Sequence, residues 1–152
     1  MSIDLSGFVR KRTTMKLGGQ DFVFTQLTLG DFAKFRLRTI EIKNENKKKR
    51  RQEIIEEAQA IGGIDNSAIL EKLDRPISDD EIEAEMDTVE GLGYMAFLSL
   101  KYKHPDITEE DVSTILTVQN LGEVATAIMG TVDGTKKKIT RQPMKKKKKK
   151  KK

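Results

Sequence analysis

The chain contains no cysteine and no tryptophan, and it has one histidine among its 152 residues. Without cysteine there can be no disulfide, no cysteine nucleophile and no thiolate zinc site. One histidine is too few for most histidine-based metal centres. No apolar run approaches the roughly 18 residues that a spanning helix needs. The start, MSIDLSGFVRKRTT, also lacks the apolar core of a secretory signal. We therefore expect no membrane segment, no secretory signal, no metal and no cofactor.

The charge of the chain is unevenly distributed. The formal net charge is +5, yet Lys145 to Lys152 are eight consecutive lysines. Without them, 21 basic residues stand against 24 acidic ones, so residues 1–144 carry a net charge of −3. The lysine run can hold any polyanion with salt-dependent, unspecific affinity. It can be native, part of an expression tag or the product of ribosomal slippage on a tract of adenines, and the protein sequence leaves these origins open.

The N-terminal part predicts a β-hairpin over residues 9–26. Two extended runs flank Gly18 and Gly19, a pair that favours a two-residue turn because glycine adopts positive φ freely. A helix should begin near Thr28. Residues 43–53 contain no apolar side chain, so the sequence leaves open whether they separate two helices or lie inside one. The apolar residues predicted to face inward from the first helix share a helical spacing and are Leu29, Phe32, Ala33, Leu37 and Ile40.

Four more helical segments are predicted downstream. They cover residues 67–73, about 78–100, 108–116 and about 121–130. The second begins with a capping-box spacing from Ser78 to Glu81, and Thr108 is the expected cap of the third. The sequence thus predicts a mainly α fold. A small helical bundle with an N-terminal hairpin should occupy residues 1–132, and a disordered lysine-rich tail should occupy residues 133–152.

Nothing in the sequence indicates catalysis, so we expect a protein that is not an enzyme. The carboxylates between Asp79 and Glu90 have spacings that could hold a hard cation, but a solvated helix face explains them better. His104 has no serine or cysteine partner motif and is expected to be structural. Gly91 and Gly93 do not form a phosphate-binding loop; they lie within a helical pattern and should allow close packing.

One cluster of basic residues lies in the charged middle of the first helical region. Glutamates flank it at helical spacing, so a solvated helix face is its default interpretation. If the protein instead binds a polyanion, this cluster would be the site. Its members are Lys47, Lys48, Lys49, Arg50 and Arg51.

Two segments resemble the tail assembly chaperones of long-tailed bacteriophages, in particular the short form of lambda-like tail systems. The first, FVFTQLTLGDFAKFRLR over residues 22–38, joins an extended run to a Leu-Thr-Leu-Gly-Asp helix start. The second, YMAFLSLKYKHPDITEEDVSTIL over residues 94–116, joins an aromatic-rich helix to a His-Pro-Asp-Ile-Thr turn. A charged, variable middle separates them. Together they place the likeness within about residues 22–130.

The resemblance implies a helical, non-catalytic protein that acts in the host cytoplasm and is absent from the mature virion. Its partners would be the tape-measure protein, which such chaperones coat, and the tail-tube protein, which they recruit. A −1 ribosomal slip near the end of the short form often yields a longer form, and an adenine tract encoding Lys145 to Lys152 would suit such a slip. Nucleic acid would bind only unspecifically, through the lysine run.

A binding role needs apolar surface that accepts an amphipathic partner helix. Some apolar residues lie off the main stripe of their helix and are therefore candidates for such a surface, although completing a central helix of the bundle is the default interpretation of each one. Self-association through the same surface is left open. The candidate partner-binding residues are Phe35, Ile42, Leu92, Tyr94, Met95 and Leu98.

Two other functions remain open at this point. One is a small nucleic-acid-binding regulator that uses the basic cluster, which should bind DNA with a steep salt dependence even without residues 133–152. The other is a structural tail-completion or connector protein, which should be found in purified particles.

Overall fold

The computed structural model describes residues 9–129 and shows a mainly helical protein with an N-terminal two-stranded hairpin, as predicted. The expected disordered tail over residues 133–152 lies outside the described residues. Two strands and six helices follow one another along the described part. They are β1 (Arg12–Leu17), β2 (Gln20–Thr25), α1 (Leu29–Ile61), α2 (Ser67–Asp74), α3 (Asp79–Met86), α4 (Val89–Lys101), α5 (Glu109–Ile115) and α6 (Leu121–Met129).

The hairpin forms where the sequence predicts it. β1 pairs antiparallel with β2 in a register that sets Leu17 opposite Gln20 and Arg12 opposite Thr25. The turn consists of Gly18 and Gly19, whose φ angles of 58° and 85° lie in the region that glycine adopts without steric cost. A hairpin of two strands is marginal alone, so its stability depends on the helices that β2 contacts.

α4 is the central helix of the core. It packs against β2, α1, α3, α5 and α6, and every residue from Met95 to Leu100 is buried. A helix that is apolar on all faces is stable in water only when other elements surround it. The hairpin joins this core through Leu17 and Phe24.

The predicted single helix over residues 78–100 is wrong, because the chain breaks it into α3 and α4. Thr88 is the N-cap of α4: its hydroxyl accepts a hydrogen bond from the Gly91 N–H at 2.9 Å and donates one to the Glu85 carbonyl at 2.8 Å. Gly91 makes this junction close, since a Cβ atom there would lie 1.8 Å from the Glu85 carbonyl oxygen. The expected close packing is therefore confirmed at Gly91, whereas Gly93 faces open space.

α1 is one continuous helix of 33 residues, about 50 Å long, so residues 43–53 do not interrupt it. The predicted inward stripe is only partly correct. Leu29 is 89% exposed and Leu37 67% exposed, whereas the next face around the helix is buried. Asp31 lies on the buried face, where it completes the capping box with Thr28 and pairs with Arg10 at 3.3 Å.

Within the described residues, none of the helices combines the length and the apolar character that crossing a lipid bilayer requires.

Candidate functional site

A cleft of about 130 Å³ lies between α1 and the α3–α4 junction. Two aromatic rings contribute to its wall, Phe35 from α1 and Tyr94 from α4, with ring centroids 6.3 Å apart and planes inclined at 33°. Gly91 also lines the cleft, on α4 beside the junction. The lining is completed by Arg38, Thr39, Ile42, Lys43, Asn46, Glu85 and Glu90.

Arg38 covers the aromatic wall and connects it to α5. Its guanidinium carbon lies 3.9 Å from the centroid of the Tyr94 ring, and its Nη2 atom lies 2.5 Å from Oε2 of Glu109. Burial raises the pKa of Tyr94, and the positive charge of Arg38 opposes that rise. The phenol therefore stays protonated at neutral pH and can donate a hydrogen bond.

The opposite rim of the cleft carries charges of both signs. Lys43 on α1 and Glu85 on α3 lie 3.4 Å apart. Glu90 on α4 is exposed, and no ion pair is found for it among residues 9–129. The cleft thus has an apolar wall and a polar rim, as sites that bind an amphipathic partner do.

The size of the cleft limits what it can hold. At about 130 Å³ the cleft has room for no more than about one side chain of a partner. Among the described residues no group of three histidine, cysteine or acidic side chains is placed to hold a metal ion. The arrangement suits the binding of one anchor residue from a partner.

The structure brings together three of the six candidate partner-binding residues. Phe35, Ile42 and Tyr94 all line the cleft. Ile42 is 46% exposed, and Phe35 is 3% exposed, so Phe35 presents little of its ring to the solvent.

The other three candidate residues lie on other parts of α4. Leu92 is half-buried and packs against the core. Met95 and Leu98 are 1% and 7% exposed. The prediction that Met95 and Leu98 form partner-binding surface is therefore corrected: they are core residues, because α4 is enclosed by five other elements.

Three members of the basic cluster, Lys47, Lys48 and Arg51, line one cleft beside the end of α2. Lys47 donates a hydrogen bond to the Arg75 carbonyl, and Arg51 lies 2.6 Å from Asp74, so both side chains join α1 to the end of α2. Arg50 pairs with Glu53 at 3.0 Å on another side of α1. Lys47, Lys48 and Lys49 make no ion pair within residues 9–129. Two of its five members, Lys47 and Arg51, therefore join α1 to the end of α2.

His104 has a structural position, although the sequence did not reveal its partner. Its Nε2 atom accepts a hydrogen bond from the backbone N–H of Val23 at 3.1 Å, and its ring lies 5.8 Å from that of Phe22. The side chain thereby covers one position on the outer edge of β2. Eighty-one residues separate the two bonded groups, which is why no local pattern could show this contact.

A second pair of contacts attaches β2 to α4. The Thr25 hydroxyl donates to the Ser99 carbonyl at 2.7 Å, and the Ser99 hydroxyl donates to the Thr25 carbonyl at 2.6 Å. Both residues are buried. Together with the Arg38–Glu109 ion pair, these bonds join residues 22–38 to residues 94–116, so the two segments that carry the family resemblance form one packed unit beside the cleft.

Comparison of the chain with protein-family models, with curated proteins and with solved structures finds no match.

Proposed function

We propose that this protein is a tail assembly chaperone of a long-tailed bacteriophage, which acts by binding and not by catalysis. Its partners would be the tape-measure protein and the tail-tube protein, in the host cytoplasm, and it would be absent from the mature virion. The observation that supports this most directly is the packed unit of residues 22–38 and 94–116. The segments that resemble the family contact each other and share a cleft with an apolar wall.

The cleft offers a binding mode for such a role. One anchor side chain from an amphipathic helix would enter the cleft and pack against Tyr94 and Ile42, while Lys43 and Glu90 would meet polar residues on either side of the anchor. A short anchor motif recurs easily along a long helical protein, so many copies of the chaperone could bind one partner. The mixed charge of the rim suits partners whose polar face also carries both signs.

The test is co-expression of the full chain with the long helical open reading frame beside it in its genome, followed by affinity capture and size measurement. We expect a soluble complex with several copies per partner. The substitution Ile42→Gln removes apolar surface at the cleft and should weaken capture by about tenfold.

Val118→Gln is the matched control, because Val118 is 95% exposed and does not line the cleft; it should leave capture unchanged. Absence of any complex would contradict the proposal. If the chain then bound DNA with a steep salt dependence after removal of residues 133–152, the regulator would be favoured. Presence of the chain in purified particles would favour a structural tail component.

A further inference from the structure

A second cleft, of about 340 Å³, lies between the middle of α1 and the segment that ends α2. We call it the basic cleft. Lys47, Lys48 and Arg51 line it from α1, and spacings of three and four residues place Lys47 and Lys48 on the same side of the helix as Arg51. The lining is completed by Asn44, Leu73, Asp74, Arg75 and Pro76.

Pro76 fixes the backbone of Arg75 beside α1. The residue before a proline is disfavoured in the helical conformation, and Arg75 is extended, with φ of −65° and ψ of 140°. Its carbonyl accepts a hydrogen bond from the Lys47 ammonium at 2.5 Å. The end of α2 is thereby held against α1, and Arg75 becomes the fourth cationic residue of the lining.

The basic cleft keeps most of its positive charge. Its lining contains four cationic residues and one acidic residue, Asp74, which lies 2.6 Å from Arg51 and neutralises that residue. The Lys47 ammonium is bonded to a carbonyl, which carries no charge. For Lys48 and Arg75 no ion pair is found within residues 9–129. Four positive charges against one negative leave the lining with a net charge of +3.

The hydrogen-bonding groups of the lining favour an anion with several oxygen atoms. Lysine and arginine side chains only donate. Arg51 uses its Nη1 atom for Asp74, which leaves its other N–H groups available. Phosphate oxygens accept such bonds from ammonium groups, and a guanidinium can hold two of them at once. No aromatic residue lines the basic cleft, so a nucleobase would find no ring on which to stack.

The acidic surroundings of the basic cleft limit the length of its ligand. Residues 52–71, which connect the two lining segments, contain five acidic residues and no basic one. Residues 77–90, which follow Pro76, contain seven acidic residues and no basic one. Glu81 in this stretch interacts with Lys47, but its carboxylate is bonded to the Ser78 N–H at 2.9 Å and does not line the cleft. A long polyanion that extended beyond the cleft would therefore meet like charges, whereas a compact anion would not.

We infer that the basic cleft binds a compact phosphate anion, that is, a phosphate or diphosphate group and not the backbone of a nucleic acid. Lys48 and Arg75 supply the charges that no residue of the chain neutralises, and Lys47 and Arg51 supply further N–H donors from the opposite sides of their existing contacts. A bound anion would join α1 to the end of α2 more firmly, since it contacts both. This inference does not rest on the proposed function, because the basic cleft and the cleft at Tyr94 share no lining residue.

The test is a titration of the isotope-labelled full chain with inorganic phosphate and with pyrophosphate at constant ionic strength, followed by amide NMR shifts. The cleft variant carries Lys48→Gln and Arg75→Gln. The matched control carries Lys49→Gln and Lys72→Gln, which remove the same charge from exposed residues that do not line the basic cleft. All these side chains are exposed, so both variants should keep the circular dichroism spectrum of the wild type.

In the wild type and the control, the amides of residues 47–51 and 73–75 should shift with a dissociation constant of about 1 mM or lower. Pyrophosphate should bind more tightly than phosphate because it carries more charge. The cleft variant should bind both about tenfold more weakly, since it lacks two charge-assisted contacts.

Four results would overturn the inference. Equal weakening in the cleft variant and the control would show attraction to the overall charge and not to this cleft. Shifts confined to Lys145 to Lys152 would assign the anion to the lysine run. An absence of shifts up to about 20 mM would exclude a site. Larger shifts of the same amides with duplex DNA than with pyrophosphate, at equal phosphate concentration, would make the cleft part of a nucleic-acid surface.

Discussion

Alanine substitution at two glycines of α4 should change stability in opposite directions. At Gly91 the new Cβ atom would lie 1.8 Å from the carbonyl oxygen and 2.8 Å from the carbonyl carbon of Glu85. The obstacle is backbone, which cannot rotate away, so the end of α3 must move. Such overpacking costs about 1–3 kcal/mol or more, while alanine in a helix recovers about 0.5–1 kcal/mol. We expect Gly91→Ala to be destabilised by about 1–2 kcal/mol and Tm to fall by roughly 2–8 °C.

Gly93→Ala is the matched control, because nothing lies within 4 Å of its Cβ position. That variant keeps only the propensity gain, and Tm should rise by roughly 1–4 °C. Thermal unfolding monitored by circular dichroism gives the Tm of both variants, and urea unfolding gives their free energies of unfolding. Equal effects of the two substitutions would refute the close approach of α3 to α4. Since Glu85 and Gly91 also line the cleft, Gly91→Ala should weaken partner capture, whereas Gly93→Ala should not.

Three further predictions concern the core and the helix caps. Ser99→Ala leaves a buried carbonyl of β2 without its donor and should cost about 1–3 kcal/mol in urea unfolding. Met95→Asp buries a carboxylate in the core and should cost about 4 kcal/mol or more, so that binding and fold are lost together in circular dichroism and capture. Backbone hydrogen bonding to Ser78 lowers the pKa of Glu81, and the hydroxyl of Thr108 lowers that of Asp111. The two carboxylates therefore contribute their full stabilisation above the ordinary carboxyl pKa, and this stabilisation is lost as the pH falls below about 4.5. In Glu81→Gln, Tm should decrease less between neutral and acid pH than in the wild type.

The sequence predicts local features well, because the signals for them lie within four residues of one another. The turn at Gly18 and Gly19 needs only positive φ at both positions. The capping boxes that begin at Ser78 and Thr108 need one hydroxyl and one carboxylate three residues apart, and both are present with their reciprocal hydrogen bonds. These features position the ends of β1, β2, α3 and α5 without reference to the rest of the chain.

The rotation of α1 could not be predicted from periodicity. Two overlapping stripes, one containing Leu29 and Leu37 and the other containing Phe35, both have helical spacing. The choice between them depends on the Arg10–Asp31 ion pair and on the Tyr94 ring, which joins Phe35 from 59 residues away. The break at Thr88 escaped prediction for a similar reason, since the apolar spacing continues across it and no proline marks it.

Apolar residues off the main stripe of their helix predicted the candidate site only in part. Their excess over one stripe per helix correctly implied that α4 is more than a surface helix, but it could not distinguish burial by the chain's own elements from burial by a partner. Met95 and Leu98 are buried by the chain's own elements, whereas Ile42 remains exposed at the cleft and could be covered by a partner. The polar rim gave no signal at all, because Lys43 and Glu85 come together only through the packing of α1 on α3.

The exposed face of α1 follows from the same choice of rotation. Phe35 and Thr39 face inward and line the cleft together with Tyr94. Because the core lies on one side of α1 only, the face that carries Leu29 and Leu37 is then exposed to solvent. A chain that only needed a stable core could have carried polar residues at these two positions at little cost in stability. The cleft and the exposed face that carries Leu29 and Leu37 are thus two consequences of one helix orientation.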